Sequence, residues 1–207
     1  MTPSRVRLIE IVVGASVVVI SVVSLFVAVF QGIVMQRTLE ASVLPVIQYG
    51  SGNYNLEREE WQITVSFRNT GLGPAEMRSF RLFWDGEEIT DTSAFLARCC
   101  VPDEIPADQR AAYVRSAFVN GEISFLFDSI EGRFFAPQEE VGYVVSARPD
   151  AETQPHGRAL WDALDSVRHD LEVEICYCSV FDDCWQARFP DQSRERVRQC
   201  PAPFRDR

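Results

Sequence analysis

The chain contains no lysine: its twenty basic residues are all arginine, set against thirty acids, for a formal net charge of −10. The arginine bias reads as a codon effect of a GC-rich genome, and no function is drawn from it. The charge is informative, because phosphate backbones demand a basic surface, and it excludes nucleic acid as a partner. Histidine is scarce, at two residues in the whole chain. Also lacking are C-x-x-C, G-x-S-x-G and a glycine-rich phosphate loop, the signatures of dithiol redox, serine-nucleophile and nucleotide chemistry. No cofactor motif, internal repeat or low-complexity stretch is present. These absences lead to the expectation of a protein that is not an enzyme and uses no cofactor.

What the chain does have is one long apolar run. Ile11 to Phe30 is twenty residues without a charge, continuing through Gln31 and Gly32 to Met35. At about 1.5 Å per residue, twenty residues span roughly 30 Å, the hydrocarbon thickness of a bilayer. The expectation is a transmembrane helix over 8–35 in contact with lipid, a cytoplasmic end over 1–7 and a juxtamembrane linker over 36–43. The run is too long for a signal-peptide core, and Phe30-Gln31-Gly32 is a poor cleavage site, so the anchor is retained. Arg5 and Arg7 precede the run, whereas Arg37, soon offset by Glu40, is the single base close behind it. That bias points to a cytoplasmic amino terminus, hence in a bacterium to an inner-membrane anchor with a periplasmic domain. Ser24, Ala28 and Gly32 recur at i, i+4 and i+8, a small-residue stripe suited to packing against a second copy or a partner helix.

About 165 residues remain beyond the anchor, enough for one domain with a real core. Trp61, Ile63, Val65 and Phe67 alternate with polar residues, a period-two pattern that predicts a strand with those four on the buried face. Phe80, Leu82 and Trp84 alternate likewise and stop at the hairpin turn Asp85-Gly86. Further strands are expected over 123–127 and 141–145. Asp91 or Thr92 caps a short helix carrying Phe95, Leu96, Cys99 and Cys100. Leu160, Trp161, Leu164 and Val167 predict an amphipathic helix over 155–170. Leu171, Val173, Ile175 and Tyr177, then Trp185, Ala187 and Phe189, form the arms of a last hairpin. The fold class expected is mainly β: a sandwich over 44–190 with two helical insertions, followed by an arginine-rich tail over 191–207.

The turn Asn69-x-Gly71-x-Gly73-Pro74-Ala75, between an alternating strand and one ending in Asp85-Gly86, resembles those of immunoglobulin-like, adhesion-type β-sandwiches in bacterial envelope proteins. The layout of anchor, Leu44-Pro45 exit, this turn and a late Cys-Tyr-Cys-Ser hairpin with Cys184-Trp185 resembles single-pass bacterial membrane proteins with such an outer domain. The resemblance implies a fold and an address, and no activity.

Six cysteines in an exported domain read as three disulfides. Cys176, Cys178 and Cys184 occupy the outer face of the last hairpin, and a register symmetric about Phe181 sets Cys178 against Cys184. Neighbouring cysteines in a helix rarely bond, so Cys99 and Cys100 are expected to pair with Cys176 and Cys200. The rival use is metal, but Cys176-x-Cys178 and its gap to Cys184 do not match usual zinc spacing, with only His156 and His169 to assist. The acidic pairs Glu139-Glu140, Glu172-Glu174 and Asp182-Asp183 read as solvated surface. The function expected is a membrane-anchored, extracytoplasmic, non-enzymatic module that binds a protein partner or a copy of itself. The alternatives are an envelope ligand-binding sensor or enzyme using the 101–140 insertion, with a concave pocket beneath it, or a cytoplasm-facing domain with a cysteine metal site.

Overall fold

The computed structural model describes residues 3–191 and 193–201, with the backbone alone for 3–9. Arg5 and Arg7, on which the expected orientation rests, thus have side chains outside the described residues, as do most of the 1–7 end and the 202–207 end of the tail. The chain divides into two units, Met1–Ser42 and Val43–Arg207.

The first unit is one helix, α1 (Pro3–Ser42). From Glu10 to Ser42 it is long and apolar enough to cross a membrane, and none of its most apolar stretch is buried within the protein. The expected linker is helical up to Ser42, where Thr38 bonds back to the Val34 carbonyl and Gln36 to Glu40. Within the apolar run, the hydroxyls of Ser16 and Ser21 donate to the carbonyls of Val12 and Val17, each at 2.8 Å. Such back-bonding satisfies a hydroxyl where no water is available.

The second unit runs β1 (Ile47–Asn55), β2 (Glu60–Asn69), β3 (Ala75–Trp84), β4 (Glu87–Glu88), α2 (Thr92–Cys99), α3 (Arg110–Val119), β5 (Leu126–Phe127), β6 (Phe134–Phe135), β7 (Glu140–Ala147), α4 (Pro155–Val167), β8 (Leu171–Cys178), β9 (Cys184–Phe189) and β10 (Ser193–Val197). Two antiparallel sheets result, β1-β2-β7-β5 and β10-β9-β8-β3-β4, with β6 also on β3. Strand occupies 32% of the chain and helix 35%, so the mainly-β expectation understates the helices. One reason is α3, a helix that the sequence pattern does not predict; only Val114 and Ala117 of it are buried, and so small an apolar face leaves a weak sequence signal. The other is the length of α1. The tail expected to fringe the domain supplies β10, paired with β9 from Ser193 opposite Arg188 to Val197 opposite Cys184.

Two apolar clusters fill the unit. The first joins both sheets: Val65 and Phe67 of β2 and Val141 of β7 pack with Met77 of β3 and Val173 and Ile175 of β8. The second belongs to the helices, with Phe95 and Leu96 of α2, Val114 of α3 and Leu160 and Trp161 of α4. Trp161 is 1% exposed, and its indole donates to the Ser146 carbonyl at 3.0 Å. Trp61 departs from expectation. At the start of β2 it is 49% exposed, packed edge-on against Tyr54 and under the Arg148 guanidinium.

Asn69 is the joint between the segments. It is fully buried, and its Oδ1 accepts from the amides of Val46 (3.2 Å) and Gly71 (3.0 Å). Its Nδ2 donates to the carbonyls of Gly73, Phe135 and Ala136 at 2.8 to 3.2 Å. One amide thus stitches the β2–β3 turn to the entry of β1 and to the end of β6. The glycines beside it, Gly71 and Gly73, do not have positive φ; among the described glycines it occurs at Gly86, Gly121 and Gly132. A Cβ on Gly71 or Gly73 would collide with the backbone of Val43 to Val46. Close approach is the reason for both residues. Asp85-Gly86, with φ of 52° and 74°, forms the expected hairpin turn.

Candidate functional site

The two apolar clusters do not fuse completely, and a cavity of about 260 Å3 lies along their seam. Its sheet wall comes from Val65, Phe80, Leu82 and Tyr143; its helical wall comes from Phe95 and Leu96 of α2 and Leu164 of α4. Each side chain is placed by its own element's period: alternate positions on β3, successive turns of α2. Asp91 starts α2 by accepting from the Ala94 amide at 2.7 Å, which sets Thr92 at the mouth and Phe95 inside.

The mouth opens between two very short strands. On one lip are Phe125 and β5, where Leu126 and Phe127 are 70% and 52% exposed. On the other are Arg81, Glu88, Thr90 and Thr92. Ring contacts run inward from the lip without a break: Phe125 to Phe127 (6.1 Å), Phe127 to Tyr143 (5.9 Å), Tyr143 to Phe80 (4.5 Å) and Phe80 to Phe67 (5.8 Å).

The charged residues beside the cavity are paired with one another on the outer face of the β3–β8 sheet. Arg81 grips Glu88 through Nε and Nη2, at 2.9 and 2.6 Å, and its third nitrogen lies 3.7 Å from Glu174. Glu174 in turn takes Arg188 at 2.9 Å. The hydrogen bonds from Arg81 hold the Glu88 carboxyl below its usual range despite some desolvation, and Glu88 raises Arg81 reciprocally. Two carboxylates and two guanidiniums therefore form a cross-strand ladder from β4 to β9 with no spare charge. Inside, burial foremost and then the Glu131 carboxylate push the Tyr143 phenol up, keeping it neutral.

The structure gathers four of the six cysteines and separates two. Cys178 bonds Cys184 across the last hairpin, where the two residues are register partners with Cα atoms 4.0 Å apart. Cys176 bonds Cys200, drawing the tail over the outer face of β8. Cys99 and Cys100 bond each other, correcting the pairing with Cys176 and Cys200. The reason is that α2 packs with the helical cluster on the inner side of the β3–β8 sheet, whereas Cys176 projects from the outer side. The sulfurs of Cys178, Cys184 and Cys200 lie within 4.8 Å of one another, but each is committed to a disulfide and offers no thiolate to a metal.

The acidic pairs are dispersed among structural partners. Glu174 is a correction: expected in solvent, it is 8% exposed within the ladder. Glu139 accepts from Arg133 and the Ala136 amide, Glu140 from Ser66, and Asp183 pairs with Arg196. His156 meets Glu122 at 3.1 Å, and the same carboxylate accepts from the His156 and Gly157 amides, capping α4. Ser24, Ala28 and Gly32 fall along one side of α1, and a Cβ added at Gly32 would meet open space. The cavity itself has no single sequence signature. Of the expected 101–140 insertion only Phe125 and Phe127 line it; the segments 101–115 and 132–140 do not. Comparison with known proteins adds no relative: no family model, curated protein or solved structure matches the chain.

Proposed function

We propose that this chain is a membrane-anchored binding module of the bacterial envelope, without catalytic activity. Its amino terminus lies in the cytoplasm, and its immunoglobulin-like β-sandwich with helical insertions stands in the periplasm. The observation that carries this reading is that all six cysteines are engaged in three disulfides in the unit that follows a membrane-length helix. Disulfides persist outside the reducing cytoplasm. Two sheets sharing one core support the sandwich. Labelling thiols on intact cells and opened membranes, with and without reductant, tests the address. The expected result is labelling only after reduction; labelling without reductant, once the membrane is opened, overturns it.

Protein partners, or a second copy through the Ser24, Ala28 and Gly32 stripe, remain the first use of such a module. A second reading, ligand-binding sensor, is favoured by one specific observation, the aromatic-walled cavity between the two clusters. Pockets that take small ligands are mostly apolar with a few placed polar groups, from about 300 Å3 upwards. This cavity has that composition and nearly that size. Saturating it with an apolar ligand should raise the melting temperature of the Val43–Arg207 unit, and no shift with any apolar compound counts against the sensor reading.

A further inference from the structure

The chemistry of the cavity narrows what it accepts. Its volume, about 260 Å3, exceeds the roughly 150 Å3 of an apolar cavity that admits benzene. A single hydrocarbon chain of medium length fits; a pair of chains does not. Among the described residues that line the cavity the charged ones are Arg81 and Glu88; they are bonded to each other on the face of β3 opposite Leu82, where Arg81 also meets Glu174. An anionic head group would have to displace a carboxylate from Arg81 to be held, and a cationic one would have to displace Arg81 from Glu88. The Thr90 and Thr92 hydroxyls, by contrast, have no hydrogen-bond partner among the described residues, and they can donate to or accept from a neutral head group.

The lip provides the second argument. Phe127, which lines the cavity, is 52% exposed, and the ring series from Phe127 through Tyr143 to Phe80 leads inward from it. A chain entering over Phe127 would cover apolar surface that is otherwise in water. The strands beside the mouth, β5 and β4, are two residues each, so few ladder bonds oppose a local opening wide enough for entry.

We propose that this cavity binds the hydrocarbon chain of a neutral amphiphile, with its head group at Thr90 and Thr92. The inference rests on the sensor reading above and names its ligand class. The chain could come from a free single-chain amphiphile or from a bilayer lipid lending one acyl chain.

The test uses the full chain in lipid nanodiscs and three probes with a diazirine on the alkyl chain: a monoacylglycerol, the matching fatty acid and a diacylglycerol. Cross-links are mapped by mass spectrometry. The expected result is monoacylglycerol labelling on peptides containing Phe95, Phe125–Phe127 or Tyr143, well above the fatty acid. Equal or stronger cavity labelling by the diacylglycerol supports the same chemistry and identifies the bilayer as the source. Phe127→Glu, at an exposed position, should lower cavity labelling about tenfold by placing a charge on the entry path. Leu56→Glu, on a distant exposed turn, should leave it unchanged. Thr90→Val with Thr92→Val should lower monoacylglycerol labelling about fivefold. Labelling confined to Glu10–Ser42, labelling led by the fatty acid, or labelling indifferent to Phe127→Glu overturns the proposal. The address is judged separately by thiol labelling: cytoplasmic thiols with a labelled cavity would sink the address and leave the ligand class standing.

Discussion

Phe67 and Trp161 are both almost wholly buried, but different forces hold their surroundings. Phe67 lies in a core closed by strands from distant parts of the chain: β2 pairs with β1 and β7, and β3 with β8. Asn69 ties the end of that core together, and two disulfides cross the back of β8 and its hairpin. Trp161 lies among three short helices with one disulfide between adjacent residues and ion pairs at the surface. The first core is cross-linked over long sequence distances; the second depends mainly on side-chain burial. The seam between two cores built so differently is where packing is incomplete, and the cavity is found there.

If the comparison is right, Trp161→Ala should produce the largest effect, about 3–5 kcal/mol of destabilisation. Hydrogen exchange should show α2, α3 and α4 opening while the amides of β2, β3 and β8 stay protected. Uniform loss of protection would erase the distinction between the cores.

The disulfides give the next contrast. Cys176 and Cys200 are 24 residues apart, so removing that bridge with paired alanines should cost about 3 kcal/mol by loop entropy. Cys99 and Cys100 close no loop, and the same treatment there should cost under about 1 kcal/mol. Urea midpoints of the two variants should differ accordingly; equal midpoints would mean the vicinal bridge does more than join neighbours. Asn69→Ala should follow at about 2–3 kcal/mol, since the Val46 and Gly71 amides lose their acceptor in a buried site. It should weaken the sheet core while leaving α4 protected.

The smallest effect concerns acid. Burial alone would raise the Glu122 carboxyl, but the His156 ring and the Gly157 and His156 amides together hold it below its ordinary value of 4.5. A depressed carboxyl stabilises fully above its unfolded pKa, and the benefit is lost as pH falls through the lower folded value. Exchange protection of α4 should therefore decline as pH drops from about 5 to about 3, with Glu122→Gln flattening the decline. A variant with the wild-type profile would place the acid sensitivity elsewhere.

Much of the fold was legible from residues close together in the chain. The membrane-length apolar stretch of α1, the alternation of β2, β3 and β8, the Asp91 cap, the Asp85-Gly86 turn and the pairing of Cys178 with Cys184 all follow from local spacing. The candidate site was legible only in part. Phe95 and Leu96 are recognisable as one face of a helix, and Phe80 and Leu82 as one face of a strand. Nothing in either pattern says that the two faces stop short of one another. The helix α3 escaped because its buried positions are a valine and an alanine.

The sequence by itself determined the division into a membrane-length helix and a folded unit, and the period of most elements, because these depend on the order of neighbouring side chains. Only the tertiary structure decided that the outer face of β8 is covered, burying Glu174 and Cys176. It alone decided that Cys99 turns to its neighbour, that Gly73 is required by the backbone of Val43, and that a cavity opens beside Phe127. Apart from the bond between the adjacent Cys99 and Cys100, each of these depends on residues far apart in the chain, brought together by how whole elements pack.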